Sequence, residues 1–73
     1  MRILRCTGRF GNKEVINIVV DKIEGFFTQV DGCTFIRMGT HVDGTDEGYF
    51  VIETVDEILE SLGAEIIDCR RKD

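Results

Sequence analysis

The chain is poor in the residues that covalent and metal chemistry require. Its three cysteines, Cys6, Cys33 and Cys69, are odd in number, widely spaced and without a CxxC pair. That excludes a disulfide framework and a zinc site, and leaves reduced, structural thiols. The only histidine is His41 and the only serine is Ser61, so a Cys33 and His41 pair is the sole candidate for nucleophilic chemistry. The two lie at opposite ends of one extended segment, ~25 Å apart at strand rise. The chain is therefore read as non-enzymatic, with no cofactor. No apolar run approaches the ~18 residues that a membrane span needs, and Met1-Arg2-Ile3-Leu4-Arg5 is too short and too charged for a signal peptide. A soluble, cytoplasmic protein is the expectation.

What is present is an ordinary globular composition, 42% apolar and 32% charged in 73 residues. The length points to one small domain over 1–73, and a domain of this size buries only about 60% of the surface of its unfolded chain. Support from a partner or from self-association is expected. The net charge of −5 is unevenly spread. Arg2, Arg5, Arg9 and Lys13 meet no acid in residues 1–13, whereas residues 14–69 carry thirteen Asp or Glu against Lys22 and Arg37, a balance of −11. A basic edge on an acidic body results.

Arg2 to Thr7 and Glu14 to Val19 read as strands joined across Gly11-Asn12, a first hairpin. Val20 to Lys22 is read as a single helical turn. Asp31-Gly32, between two aromatic and β-branched runs, predicts a second hairpin with a two-residue loop. That register sets Phe27 opposite Ile36 and Phe26 opposite Arg37. One face then carries Phe26, Val30, Cys33 and Phe35, and the other Ile23, Phe27, Ile36 and Met38. Both faces are apolar, so one is left for a barrel-like curl, the C-terminal segment or another subunit to cover.

Gly39 to Gly48 reads as a polar loop and Tyr49 to Glu53 as a strand. Thr54-Val55-Asp56-Glu57 carries a capping box that opens a helix with the apolar stripe Val55, Ile58, Leu59 and Leu62, ended by Gly63. Ala64 to Cys69 is a candidate further strand. The fold class is α+β: an antiparallel β-meander of about five strands, curled or barrel-like, closed by one short helix.

Asn17, the Lys22-Ile23-Glu24 turn, Thr34-Phe35-Ile36 and Val51-Ile52-Glu53-Thr54-Val55-Asp56-Glu57-Ile58 occur in an order that resembles the FlbD family of small flagellar-operon proteins and the similar short proteins of bacteriophage and prophage genomes. The resemblance covers roughly residues 14–62. It implies a β-meander ending in a short acidic helix and supplies no catalytic residue. The loop Thr40 to Gly48 is longer than the tight turn of that family, and the extension after Gly63 is additional.

Three constellations carry binding chemistry. Asp43, Asp46 and Glu47, with Asp56, Glu57 and Glu60 on the helix, form an acidic surface suited to a basic protein partner. His41, Asp43, Asp46 and Glu47 place one imidazole and three carboxylates in a short loop. As a calcium loop starting at Asp43, however, the segment has Thr54 where a bidentate Glu is required, so a solvated acidic loop is expected and a metal site is not. Arg2, Arg5, Arg9 and Lys13 surround Gly8-Arg9-Phe10-Gly11, a Gly-x-x-Gly sequence that lacks the flanking helix of the RNA-binding loops with that pattern. Phe26, Phe27, Phe35 and Phe50 would stack bases on an open face, but Arg37 is the only base on that hairpin. The leading reading is a self-associating interaction module that binds a basic protein. The alternative is a small barrel that binds nucleic acid or an anionic ligand through the basic edge.

Overall fold

The computed structural model describes residues 1–11 and 14–71. Its elements are β1 (Ile3–Thr7), β2 (Val15–Val19), a 3-10 turn (Val20–Lys22), β3 (Gly25–Thr28), β4 (Thr34–Thr40), β5 (Asp46–Val51) and α1 (Val55–Leu62). The α+β class and the five antiparallel strands agree with the sequence reading. The strands form two sheets, β1-β2 and β3-β4-β5, rather than one closed barrel.

The sheets meet along a short seam. Gly8 bridges Val51 in antiparallel fashion. Ile52 N donates to Thr7 O (3.0 Å), and Arg9 N donates to Phe50 O (2.9 Å). Glu53 then ties three elements together. Its carboxylate accepts from Thr7 N (2.8 Å), and its carbonyl accepts from the hydroxyl of fully buried Thr34 (2.7 Å). Behind the seam lies a core of Leu4, Cys6, Ile18, Ile36, Val51 and Ile58, one or two residues from every element except β3 and the 3-10 turn. Phe26, Met38, Ile23 and Leu62 pack against it half-buried.

The β3–β4 hairpin corrects the predicted register by one residue. Gln29 N donates to Cys33 O (2.8 Å) and Gly32 N to Gln29 O (3.0 Å), with Gly32 at φ 88°. The loop is thus the three residues Val30-Asp31-Gly32, a turn followed by a left-handed glycine, and not the two-residue Asp-Gly turn. Phe26 faces Ile36 and Phe27 faces Phe35. Because side chains alternate, the extra loop residue transfers Phe35 to the opposite face from Phe26, and Phe27 to the opposite face from Ile36.

Two further expectations change. β5 begins at Asp46, not Tyr49, and ends at Val51, so half of the polar stretch 39–48 is strand, on either side of a tight tip at 41–45. There His41 N donates to Thr45 O (2.7 Å). Residues 64–69 form no strand and are exposed. The turn reading of Gly11 is consistent with its φ of 76°, while Asn12 lies outside the described residues. The helical turn Val20–Lys22 and the helix are found where the sequence puts them.

At the helix start Thr54 Oγ1 accepts from Glu57 N (3.2 Å), and Glu57 Oε1 accepts from Thr54 N (3.0 Å). These bonds hold the Glu57 carboxyl below its ordinary 4.5. A folded value below the unfolded one stabilises the fold above about pH 4.5 and ceases to do so as the pH falls through the depressed value. Acidification is therefore expected to lower the thermal midpoint of the wild type more than that of Glu57→Gln, which lacks the titration; equal slopes by circular dichroism would contradict this.

Gly48 is required by contact. A Cβ there would strike the Ile36 carbonyl and come within 2.9 Å of Phe35 Cζ, because the ring lies across the glycine. Gly48→Ala should cost roughly 1–3 kcal/mol in urea denaturation. Gly39→Ala, whose Cβ would find ordinary neighbours at 3.9 Å, should stay within about 0.5 kcal/mol.

Candidate functional site

The corrected register gathers the aromatic residues on the sheet face turned away from the core. Phe27, Phe35 and Phe50 come from three adjacent strands, and Phe35 stands directly opposite both Phe27 and Phe50. The Phe35 and Phe50 ring centroids are 4.8 Å apart. Phe10, from the β1–β2 connection, lays its ring edge-on to Phe50 at 5.6 Å. Phe27, Phe50 and Phe10 remain 43%, 37% and 62% exposed. Single exposed apolar residues are unremarkable, but three rings side by side on one sheet face, with Phe10 against them, make this a candidate contact surface.

Phe27, Phe35 and Phe50 line a groove of about 470 Å³ whose remaining walls are Gln29, Arg37 and Asp46. Arginines already lie against two of the four rings. Arg9 is 5.0 Å from the Phe10 centroid and Arg37 is 5.3 Å from that of Phe27, both within cation–π range. Arg9 also pairs with Asp31 of the β3–β4 loop, which fastens the β1–β2 connection to that loop. Asp31 Oδ1 in turn accepts from Cys33 N (3.0 Å). Arg37 Nε lies 3.6 Å from Glu24 Oε1, too far for a hydrogen bond, and is buried with no such partner among the described residues.

The basic residues expected to form one edge have separate tasks. Arg2 Nη2 donates to Leu62 O (3.0 Å) at the C-terminal end of α1, where a cation also suits the helix dipole. Arg5 Nε donates to Asn17 Oδ1 (2.8 Å) across the β1-β2 pair. Arg9 pairs with Asp31 and lies over Phe10, and Lys13 lies outside the described residues.

The acids divide likewise. Asp43 folds onto its own turn, accepting from Thr45 Oγ1 (2.7 Å) and Thr45 N (3.0 Å), which holds its carboxyl below the ordinary 3.8. Asp46 borders the groove, and Glu47 faces Gly39. Glu57 belongs to the helix cap, and Asp56 and Glu60 are exposed on α1. Among the described residues no three His, Cys, Asp or Glu side chains are grouped to hold a metal, so His41, Asp43, Asp46 and Glu47 do not converge.

Phe10 was absent from the aromatic set read from the sequence, and Phe26 was wrongly included in it. Phe26 packs toward the core. The signal available was Asp31-Gly32 itself, since Gly at the third position of a three-residue loop is as regular a hairpin as Asp-Gly in a two-residue one. A larger hollow of about 560 Å³ lies between α1 and residues 66–70. One of its walls is the irregular segment in which Asp68 and Arg70 bond to each other, so it is a less defined surface than the sheet.

No protein-family model, curated protein or solved structure matches the chain. Among the described residues no helix is long and apolar enough to cross a membrane.

The three thiols differ in setting. Cys6 is buried in the core, and burial, followed by the charge of Glu53, pushes its thiol up to about 11. Cys33 is half-buried and Cys69 exposed. Ellman's reagent should therefore modify Cys69 first in the native protein and Cys6 only on unfolding; rapid reaction of Cys6 in the folded protein would contradict this.

Proposed function

We propose that the protein is a non-enzymatic interaction module that binds a basic segment of a protein partner on the aromatic face of the β3-β4-β5 sheet. The observation that carries this reading is the row Phe27, Phe35 and Phe50 on one sheet face, bordered by Asp46 and extended by Phe10, in which Phe10, Phe27 and Phe50 are exposed and Phe35 is half-buried. Two of the four rings already receive guanidinium groups from the chain itself. Phe35 and Phe50 are the rings left for a partner's Arg or Lys, each such contact contributing about 0.5–2 kcal/mol. The −5 net charge attracts a basic partner at long range and repels polyanions.

The acidic residues Asp43, Asp46, Glu47, Asp56, Glu57 and Glu60 act mainly by this attraction. Asp46 alone borders the groove, while Asp43 and Glu57 are spent on local hydrogen bonds. The hydrogen-bonded seam between the two sheets supports a curled arrangement that turns the aromatic face outward. The partner's basic character is also consistent with a cytoplasmic module of the flagellar-operon and phage type, a kinship that a neighbouring flagellar or phage structural gene would support.

An Arg/Lys-rich peptide titrated calorimetrically at low salt should bind, weaken as salt rises, and lose about tenfold in affinity with Phe50→Ala, while Asp43→Asn changes little. Absence of peptide binding would overturn the reading. Binding of a single-stranded oligonucleotide with the same dependence on Phe50 would replace it with a base-stacking surface, to which Arg9 and Arg37 would contribute in place of the dispersed Arg2 and Arg5.

A further inference from the structure

We infer that two copies of this chain pair edge to edge along β2, antiparallel and two-fold symmetric about Asn17. β2 has one neighbour, β1, and its other edge is unpaired by any strand of the described residues. The bonds flanking that pair run from Gly8 N to Glu14 O (2.8 Å) and from Val20 N to Arg2 O (3.0 Å). Residues 14, 16, 18 and 20 therefore turn their backbone groups toward β1. By alternation Val15, Asn17 and Val19 turn theirs to the free edge.

The sequence of this strand, Val15-Ile16-Asn17-Ile18-Val19, is a palindrome. In a two-fold antiparallel pairing centred on Asn17, Val15 meets Val19 of the second copy, Ile16 meets Ile18, and Asn17 meets itself. Asn17 is an outward-facing residue, so the centre of symmetry falls on a hydrogen-bonded pair. The three outward N–H and three outward C=O groups of each copy are then all satisfied by the other. A symmetry centre on Ile16 or Ile18 would align groups already bonded to β1, and one on Val15 or Val19 would leave most of the strand unmatched.

The edge also lacks the charges, prolines and bulges that keep many sheet edges apart. β2 has no charge, no proline and no bulge, in a chain with 32% charged residues. Val15 is 63% exposed. Two molecules of net charge −5 repel elsewhere on their surfaces, so an uncharged strand is where they can approach most closely. The result is a four-stranded β1-β2-β2-β1 sheet. Two five-residue edges make a contact smaller than the ~1,200 Å² of stable interfaces, so the dimer forms reversibly with concentration. The inference is independent of the aromatic face, which lies on the other sheet.

Sedimentation equilibrium of the full chain from about 10 μM to about 1 mM should show the mass rising from one chain toward two, the range in which so small an interface dissociates. Over the same range, amide exchange at Val15, Asn17 and Val19 should slow, while that at Ile16 and Ile18 stays slow throughout. Asn17→Pro removes an outward donor without touching the backbone bonds to β1, at the loss of the Arg5 to Asn17 side-chain bond, and Val15→Lys places a charge on the exposed edge. Each variant should remain one chain across the range. Should Asn17→Pro fail to fold by circular dichroism, Val15→Lys decides alone. A wild type that stays a single chain at the highest concentration overturns the inference. So does a dimer that persists in Val15→Lys and disappears in Phe50→Ala, which would assign association to the aromatic face. Peptide binding is read separately, and neither edge variant should alter it.

Discussion

The structure depends on the seam where the end of β1 meets the end of β5. Neither two-stranded β1-β2 nor three-stranded β3-β4-β5 can bury an apolar face alone. The bonds of Thr7, Gly8 and Arg9 to Phe50, Val51 and Ile52 bring the two faces together over Ile36, Val51, Leu4 and Cys6. Glu53 converts that meeting into a fixed geometry. One residue before the helix cap, it accepts a hydrogen bond from β1 through its carboxylate and one from Thr34 of β4 through its carbonyl. The direction in which α1 leaves the sheet, and hence the burial of Ile58, follows from these bonds.

Fixing the core face of the second sheet also fixes what its other face must show. With Thr34 and Ile36 buried, strand alternation sends Phe35 outward, and pairing brings Phe27 and Phe50 to either side of it. Phe35 then covers Gly48, the one position on β5 with no side chain to compete for that space. The aromatic face is thus a consequence of the core, completed by Phe10 from a connection that the Arg9 and Asp31 ion pair holds in place.

Charge is distributed differently in space than along the chain. Four bases clustered within thirteen residues suggest a basic edge, yet Arg2 ends at the helix, Arg5 on Asn17 and Arg9 on the β3–β4 loop. The acids of the 41–47 segment look like a ligand set in one dimension, but the β4–β5 tip spreads them over its own turn, the groove and the far side of β5. Net charge survives folding and governs long-range attraction. Local clusters do not, because Arg2, Arg5, Arg9, Asp43 and Glu57 each take a partner in a different part of the fold.

Local signals in the sequence were enough to place the helix, its capping box, the 3-10 turn and four of the five strands closely, because each depends on neighbours within about four residues. They were also enough to read Glu14 to Val19 as a short strand. The second hairpin was not decided locally. Asp31-Gly32 fits a two-residue and a three-residue loop, and the choice falls to whichever register buries Thr34 and Ile36 against Val51. That single residue of loop length moves every side chain of β4 relative to β3, and with it the location of the candidate site. Tertiary structure likewise decided that residues 64–69 add no strand and that β2 has β1 as its one strand neighbour among the described residues, since both depend on which backbone groups remain unpaired once the core has closed.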